Sequence, residues 1–307
     1  ENNNMMKVPQ IELNNGVMIP CIGNGPGFIG MGSNKKENHN IFARAYRKYI
    51  DNPRKRKDYV DAIANSFKIG FTLLDYSSSY GDGAAINEAI QKSGVDRKEL
   101  FLTTRISNEA QRTHKVRECF MQQLDGMGTD YIDLLMFHWP VTDLYLDTWK
   151  EMVKLYKDGY VRCLGVANCH QHHLEALLKA SDECPAVNQV EVHPLFTQKP
   201  LVSYCKKQGI QVEAYTAIAR LDDRLVRLPI LHKIAAKYKK TVVQVVLRWH
   251  IQNGVIPVVR SLNKYRQLEN ISIFDFTLND EEMKAIDSIN INSRLRFDPD
   301  NCDFSIL

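Results

Sequence analysis

The most constraining feature of this sequence is a repeated alternation between short apolar runs and longer segments with helical spacing. The apolar runs cover residues 21–23, 71–74, 100–104, 131–137, 161–166, 186–190, 210–214 and 255–258. Continuous apolar runs of this length are typical of buried parallel strands, and the intervening segments carry their apolar residues on one face. Strict alternation of strand and helix implies right-handed crossovers and an α/β architecture. Eight such units predict closure into a (β/α)₈ TIM-type barrel.

Two further extended segments precede the predicted barrel. Residues 11–13 and 17–19 flank Asn14-Asn15-Gly16, a sequence that favours a tight turn between antiparallel strands. We therefore expect an N-terminal β-hairpin that closes one end of the barrel. Because no Pro- or Ser-rich linker interrupts the repeats, we expect residues 1–307 to form a single domain.

A doubly wound dinucleotide-binding sheet is the structural alternative, because residues 25–30 satisfy the pattern G-x-G-x-x-G. That motif requires a helix with an apolar face immediately afterwards. Residues 31–36 are polar and interrupted by a glycine, so we interpret the glycine-rich segment as a loop.

Composition indicates an ordinary globular protein, with 44 % hydrophobic and 25 % charged residues and a net charge of +4. Apolar stretches fall short of the ~18 residues of a membrane span, and the first residues lack the apolar core of a signal peptide. The seven cysteines are scattered without a C-x-x-C pair, as expected of reduced thiols. These observations predict a cytoplasmic protein without a membrane partner.

Polar residues stand at the carboxyl ends of several predicted strands, where the active sites of barrel enzymes are found. Each of them alone has an ordinary structural role available to it, such as a helix cap or a satisfied core histidine. Together they would bring a carboxylate, a phenol, a cation, an imidazole and two amides to one mouth. They are Asp75, Tyr80, Arg105, His138, Asn168 and Gln189.

Between residues 58 and 290 the sequence resembles the aldo-keto reductases. The resemblance rests on GFTLLDYSSSYGDG (70–83), LFLTTR (100–105), DYIDLLMFHWP (130–140), LGVANC (164–169), NQVEVHP (188–194), and VIP followed by RSLNKYRQLEN. It implies that Tyr80 is the proton donor and that Asp75 and His138 are its partners. Position 105 departs from the family, because Arg105 stands where lysine is usual.

The implied reaction fits these residue types. Hydride from a dihydronicotinamide attacks a carbonyl carbon, and the oxygen that becomes negative takes a proton from Tyr80. A free tyrosine has a pKa near 10, so a nearby cation must lower it, and Arg105 held by Asp75 is the candidate. His138 would orient the substrate oxygen. Hydride transfer needs no metal ion.

For the nicotinamide end of the cofactor, the resemblance implies that Asn168 and Gln189 bind the carboxamide and that the ring stacks on Tyr215. Ala167 replaces the usual serine, and residues 216–218 replace Ser-Pro-Leu. Nicotinamide and pyrophosphate contacts are therefore expected to be weaker.

For the adenosine end, the resemblance implies that Arg260, Ser261 and Arg266 bind the 2′-phosphate and that Glu269 and Asn270 contact the adenine. A surface helix with incidental basic residues is the alternative. The planar guanidinium is suited to phosphate, so the pattern favours NADP(H).

Residues 169–173, Cys-His-Gln-His-His, have the composition of a metal site. Only His170 and His173 lie at helical spacing among its histidines, and no coordination shell is evident, so we expect no metal. Substrate contacts are expected from Phe28, Trp139 and the tail that contains Phe297 and Phe304.

Relative to the family, residues 29–57 are expected to be a basic insertion in a loop at the catalytic face. Residues 33–57 contain nine basic and two acidic residues. Helical spacing of Phe42, Ala45, Tyr46 and Tyr49 predicts a short amphipathic helix packed near the mouth. A solvated surface excursion is an equal alternative, and nucleic-acid binding a distant one.

The sequence therefore predicts an NADPH-dependent reductase of a small aldehyde or ketone, with no nucleic-acid partner. The alternative is a nucleotide-binding sensor or regulatory subunit on the same barrel with little turnover. The departures from the family at Arg105 and Ala167 are the reason for retaining this alternative.

Overall fold

A computed structural model describes residues 5–27, 45–78 and 83–307. Eight parallel strands form a closed barrel in the order β10-β3-β4-β5-β6-β7-β8-β9, so the predicted fold class is confirmed. A separate antiparallel pair consists of β1 (Gln10–Glu12) and β2 (Met18–Pro20). The barrel strands are β3 (Gly23–Asn24), β4 (Leu73–Asp75), β5 (Phe101–Ile106), β6 (Ile132–Phe137), β7 (Val161–Ala167), β8 (Val187–Glu191), β9 (Gln211–Tyr215) and β10 (Ile256–Val259).

Amphipathic helices surround the described part of the barrel and bury their apolar faces against its strands. The helices are α1 (Asn52–Ile69), α2 (Gly83–Ser93), α3 (Asn108–Arg112), α4 (Val116–Met127), α5 (Tyr145–Lys157), α6 (Gln171–Ala180), α7 (Lys199–Lys207), α8 (Asp223–Val226), α9 (Pro229–Tyr238), α10 (Val242–Gln252), α11 (Lys264–Ile271) and α12 (Asp280–Asp287). A short 3₁₀ turn covers Arg97–Glu99, and a turn with left-handed φ values covers Ala219–Leu221. No helix in the ranges the structure describes is long and apolar enough to cross a membrane.

Two strands begin two residues later than the apolar pattern predicts. Helix α1 ends at Gly70, whose φ of 113° is in the left-handed region. The backbone N–H groups of Phe71 and Thr72 still bond to Ser66 and Gly70, so the next strand begins only at residue 73. Similarly, the N–H of Cys21 donates to the carbonyl of Pro9, which leaves β3 only two residues.

The N-terminal hairpin closes the lower end of the barrel, as predicted. Gly16, with φ of 82°, ends the three-residue loop, and the N–H of Leu13 donates to the carbonyl of Val17. Leu13 and Ile19 are buried against side chains that fill the lower barrel, among them Phe101. Barrel enzymes have their active sites at the opposite end, where the strands terminate.

The glycine-rich segment is described only as far as Gly27. Residues 25–27 form no regular secondary structure, consistent with a loop, and the closed barrel excludes the doubly wound alternative. Phe28 and the rest of the motif lie outside the described residues.

The described part of the basic segment, residues 45–57, leads directly into α1 through a π-helical turn at Arg47–Asp51. Tyr46 and Tyr49 are 57 % and 69 % exposed, so the packing expected for these two rings is wrong. Lysines and arginines on the following turns form surface ion pairs, such as Arg56 with Glu88 at 2.5 Å. These features favour a solvated helix surface; Phe42 lies outside the described residues.

Candidate active site

A cleft of about 430 Å³ opens at the carboxyl ends of the strands. It gathers many of the predicted residues, which come from several strands and from the loops that follow them. Its lining includes Asp75, Arg105, His138, Trp139, Asn168, Gln189, Tyr215 and Arg260. Tyr80, the predicted proton donor, lies outside the described residues.

A buried ion pair lies at the base of this cleft. Arg105 is 2 % exposed, and its Nη2 lies 2.7 Å from Oδ1 and 3.0 Å from Oδ2 of Asp75. Nη1 donates to the carbonyl of Tyr76 at 3.1 Å. Arg105 therefore does not use two nitrogens on Asp75: Nη2 lies close to both carboxylate oxygens, and Nη1 is directed to the backbone.

The same guanidinium nitrogen also donates to Oε1 of Gln189. Gln189 in turn donates through Nε2 to Oε2 of Glu213 at 2.8 Å. Strands β8 and β9 pair these two residues in register, so their side chains are neighbours inside the barrel. Asp75, Arg105, Gln189 and Glu213 thus form one continuous buried chain of polar groups.

Glu213 was not identified from the sequence as a site residue. It is 1 % exposed, and burial raises the pKa of its carboxyl to about 7, with a further upward contribution from the Asp75 carboxylate. The hydrogen bond from Gln189 and the charge of Arg105 act in the opposite direction. A carboxylate within the apolar run 210–214 was the signal available in the sequence.

His138 follows β6 and carries a neutral imidazole at ordinary pH. Burial lowers its pKa to about 3, with help from the positive charges of Arg105 and Arg296. Its backbone carbonyl accepts a hydrogen bond from Nδ2 of Asn168 at 2.9 Å. A neutral imidazole at this position can donate one hydrogen bond without adding a further positive charge to the cleft.

Asn168 connects the imidazole side of the cleft to the aromatic side. Its φ of 60° lies in the left-handed region, which asparagine tolerates better than most residues. The hydroxyl of Tyr215 donates to its Oδ1 at 2.7 Å. Both amides predicted to bind the nicotinamide carboxamide, Asn168 and Gln189, therefore already have protein partners.

The cleft continues toward the residues predicted to bind the adenosine phosphate. A Cβ atom added at Gly27, whose φ is 67°, would lie 3.0 Å from Nε of Arg260, so the arginine packs closely on this glycine. Ser261 precedes α11 and Arg266 lies in its first turn, where the Asn263 side chain caps the N–H groups of residues 265 and 266.

The two residues expected to contact adenine are less available. Oε1 of Glu269 accepts a hydrogen bond from the Thr241 hydroxyl at 3.0 Å, and Asn270 is buried. An adenine contact would require Glu269 to exchange this partner.

A strained turn borders the same cleft. Thr216, Ala219, Arg220 and Leu221 all have φ between 49° and 58°, in the left-handed region that non-glycine residues rarely adopt. All four except Ala219 line the cleft. Strain of this kind persists where surrounding structure imposes it, and it is common at ligand clamps.

The C-terminal tail covers one side of the mouth. Buried Glu191 accepts hydrogen bonds from the backbone N–H groups of Leu295 and Arg296 at 2.6 and 2.8 Å. The ring centroids of Trp139 and Phe304 lie 6.3 Å apart, and Trp139 lines the cleft, whereas Phe297 is 43 % exposed. Glu191 lies within the motif NQVEVHP but was not recognised as the anchor of the tail.

Comparison with known proteins agrees with this geometry. The model of the aldo/keto reductase family matches residues 29–291. The chain is 38 % identical to glyoxal reductase of Bacillus subtilis over 96 % of this chain and 97 % of that protein.

Two solved structures are similar over nearly the whole chain. An aldo-keto reductase from a deep-sea metagenome library has a TM-score of 0.85 at 32 % identity, covering 96 % of this chain and 100 % of the other. A Bombyx mori aldo-keto reductase in complex with NADP has a TM-score of 0.82 at 31 % identity, covering 96 % and 97 %.

Proposed function

The chain belongs to the aldo-keto reductase family, and on that basis we propose that it reduces an aldehyde or a ketone to the alcohol with NADPH. The observation that carries the proposal is the buried Asp75–Arg105 ion pair beside a neutral His138 at the mouth of the barrel. A fixed positive charge and a neutral hydrogen-bond donor are what a developing alkoxide requires.

We assign the proton transfer to Tyr80. When bound, the cofactor supplies the hydride that reduces the carbonyl carbon. The charge of Arg105 favours the phenolate form of a nearby tyrosine, so Tyr80 releases its proton to the carbonyl oxygen more readily. His138 donates a hydrogen bond to the same oxygen and fixes its position.

The residues present fit a phosphorylated dinucleotide. Gly27 leaves room for the Arg260 guanidinium at the edge of the cleft, and Arg266 adds a second basic side chain at the start of α11. On the nicotinamide side, Asn168 and Gln189 have amide groups at the mouth, and binding requires each to exchange or share an existing hydrogen bond.

Turnover with a carbonyl panel tests the proposal directly. The purified chain should oxidise NADPH in the presence of small aldehydes and ketones, with glyoxal tested first because the glyoxal reductase of Bacillus subtilis is similar. Tyr80→Phe should lower kcat by about two orders of magnitude or more, while NADPH binding stays nearly unchanged. Tight NADPH binding with no reduction of any carbonyl would instead favour a nucleotide-binding sensor.

A further inference from the structure

A cluster of imidazoles and carboxylates lies outside the cleft, where the C-terminal tail crosses the start of α6. Nδ1 of His170 lies 2.7 Å from Oδ2 of Asp300, and Nε2 of His172 lies 2.8 Å from Oδ1 of the same carboxylate. One ligand atom from each of these three residues can be chosen so that all lie within 4.8 Å of one another. The sequence could not indicate this arrangement, because Asp300 is about 130 positions away.

Hydrogen bonding decides which histidines are available. Nδ1 of His173 accepts the backbone N–H of His170 at 3.0 Å, which closes the N-terminal cap of α6. The proton of a neutral His173 must then be on Nε2, so that nitrogen has no lone pair for a metal. The same capping box includes the His170 side chain, which faces the N3 backbone N–H, whereas His172 takes no part in it. The nitrogens of His170 and His172 that face Asp300 donate to its carboxylate, so each must release its proton or move it to the other ring nitrogen when a metal binds.

The donor set selects a class of metal. Two imidazole nitrogens and one carboxylate oxygen suit Zn²⁺ and the neighbouring divalent transition metals rather than Mg²⁺ or Ca²⁺, which prefer oxygen alone. Tetrahedral zinc with bonds of about 2.0–2.1 Å places its ligand atoms roughly 3.4 Å apart. Because His172 is 60 % exposed at its side chain, it can move the short distance required.

Neighbouring residues provide outer support for such a site. Nε2 of His170 lies 3.8 Å from Oδ1 of Asp298, a carboxylate that could accept the ring proton once Nδ1 binds a metal. Nη2 of Arg294, now 3.2 Å from the same Nε2, would have to move away. A water molecule would complete the fourth position.

We propose that His170, His172 and Asp300 form a binding site for a divalent transition metal ion such as Zn²⁺. The ion would join the tail to α6, on the same tail whose residues 295 and 296 are held by Glu191 and whose Phe304 faces Trp139. Metal binding would therefore tie down the wall of the cleft without entering it.

Calorimetric titration of the full chain, stripped with EDTA, with Zn²⁺ alone tests the site. We expect saturable binding at one equivalent with a micromolar or tighter dissociation constant. His172→Ala and Asp300→Asn should each weaken binding at least about tenfold, since each removes one of three ligands. His114→Asn is the matched control, because it removes an exposed histidine elsewhere and asparagine tolerates its φ of 55°.

Two further measurements distinguish zinc binding by this cluster from zinc binding at another position on the chain. Cys302→Ser should leave Zn²⁺ affinity unchanged, so loss of binding in that variant would overturn the ligand assignment. Hydrogen exchange of residues 295–307 should slow on addition of Zn²⁺ in the native chain and not in His172→Ala. Absence of saturable binding, or equal weakening by His114→Asn, would show that the cluster is only a hydrogen-bonded anchor for the tail.

Discussion

Glu213→Gln should stabilise the protein at alkaline pH. The carboxyl of Glu213 is fully enclosed, and its pKa is raised from 4.5 to about 7, chiefly by burial. The folded state therefore retains the proton to higher pH than the unfolded chain. Because the folded state binds more protons between these two values, the free energy of unfolding falls as pH rises from about 4.5 through 7.

The size of the effect follows from the shift. A difference of roughly 2.5 pH units corresponds to about 3 kcal/mol of stability lost once the carboxyl is ionised in both states. Glutamine keeps the shape, accepts the hydrogen bond from Gln189 through its carbonyl oxygen, and does not ionise. The stability of the variant relative to the native chain should therefore increase by about 2–3 kcal/mol between pH 5 and pH 8.5.

Urea unfolding of both proteins at several pH values between 5 and 8.5 measures this difference, provided that the transitions share one slope. Glu12→Gln is a matched control, because Glu12 is an exposed strand glutamate outside the barrel. Stability curves for Glu213→Gln and the native chain that run parallel across this pH range would refute the argument. A variant less stable at pH 8.5 than at pH 5, relative to the native chain, would reverse its sign.

Four other variants, at three positions, test the remaining assignments. Arg105→Lys should keep the fold and raise kcat, because the shorter lysine ammonium pairs with Asp75 without binding the Gln189 amide. Arg105→Met should lower kcat. Steady-state kinetics of both variants measure these changes. We expect the native chain to bind NADPH at least tenfold more tightly than NADH, a difference of about 1.4 kcal/mol. Arg266→Ala should remove this preference, and an equal loss of affinity for both cofactors would contradict the assignment. Glu191→Gln should loosen the tail. Burial raises the pKa of this carboxyl, but the hydrogen bonds from His193, Leu295 and Arg296 together outweigh burial, so the pKa is lowered. We expect faster hydrogen exchange in the tail and stability lower by about 1.5–3 kcal/mol at neutral pH.

The local pattern of apolar residues was sufficient to predict the barrel and the polar residues at the ends of its strands. Eight apolar runs correspond to eight strands, with boundaries displaced by a residue or two where a turn or cap takes the backbone hydrogen bonds. Asp75, Arg105 and His138 come together because parallel strands of a closed barrel end at one rim.

Contacts between distant segments could not be read in the same way. Glu191 meets residues 295 and 296 across more than 100 positions, and Asp300 meets the histidines of α6 across a similar distance. Each contact depends on the path of the tail, which has no regular periodicity to fix its direction. Tyr46 and Tyr49 show that a pattern can also predict a contact that does not form. Their rings are exposed, because helical spacing alone does not specify which face of a helix packs.

The arginine at position 105 is best understood together with Glu213. Its guanidinium donates hydrogen bonds to both Asp75 and Gln189, and Gln189 donates a hydrogen bond to Glu213 on the next strand. When Glu213 is protonated, Asp75 is the one carboxylate in this chain of polar groups that balances the charge of Arg105. When Glu213 is ionised, it adds a second negative charge, which offsets part of the positive field of Arg105 at the mouth of the barrel. A pKa near 7 places this change at ordinary pH. In the mechanism proposed above, arginine in place of lysine would couple the cation to a buried acid whose ionisation weakens its effect on Tyr80.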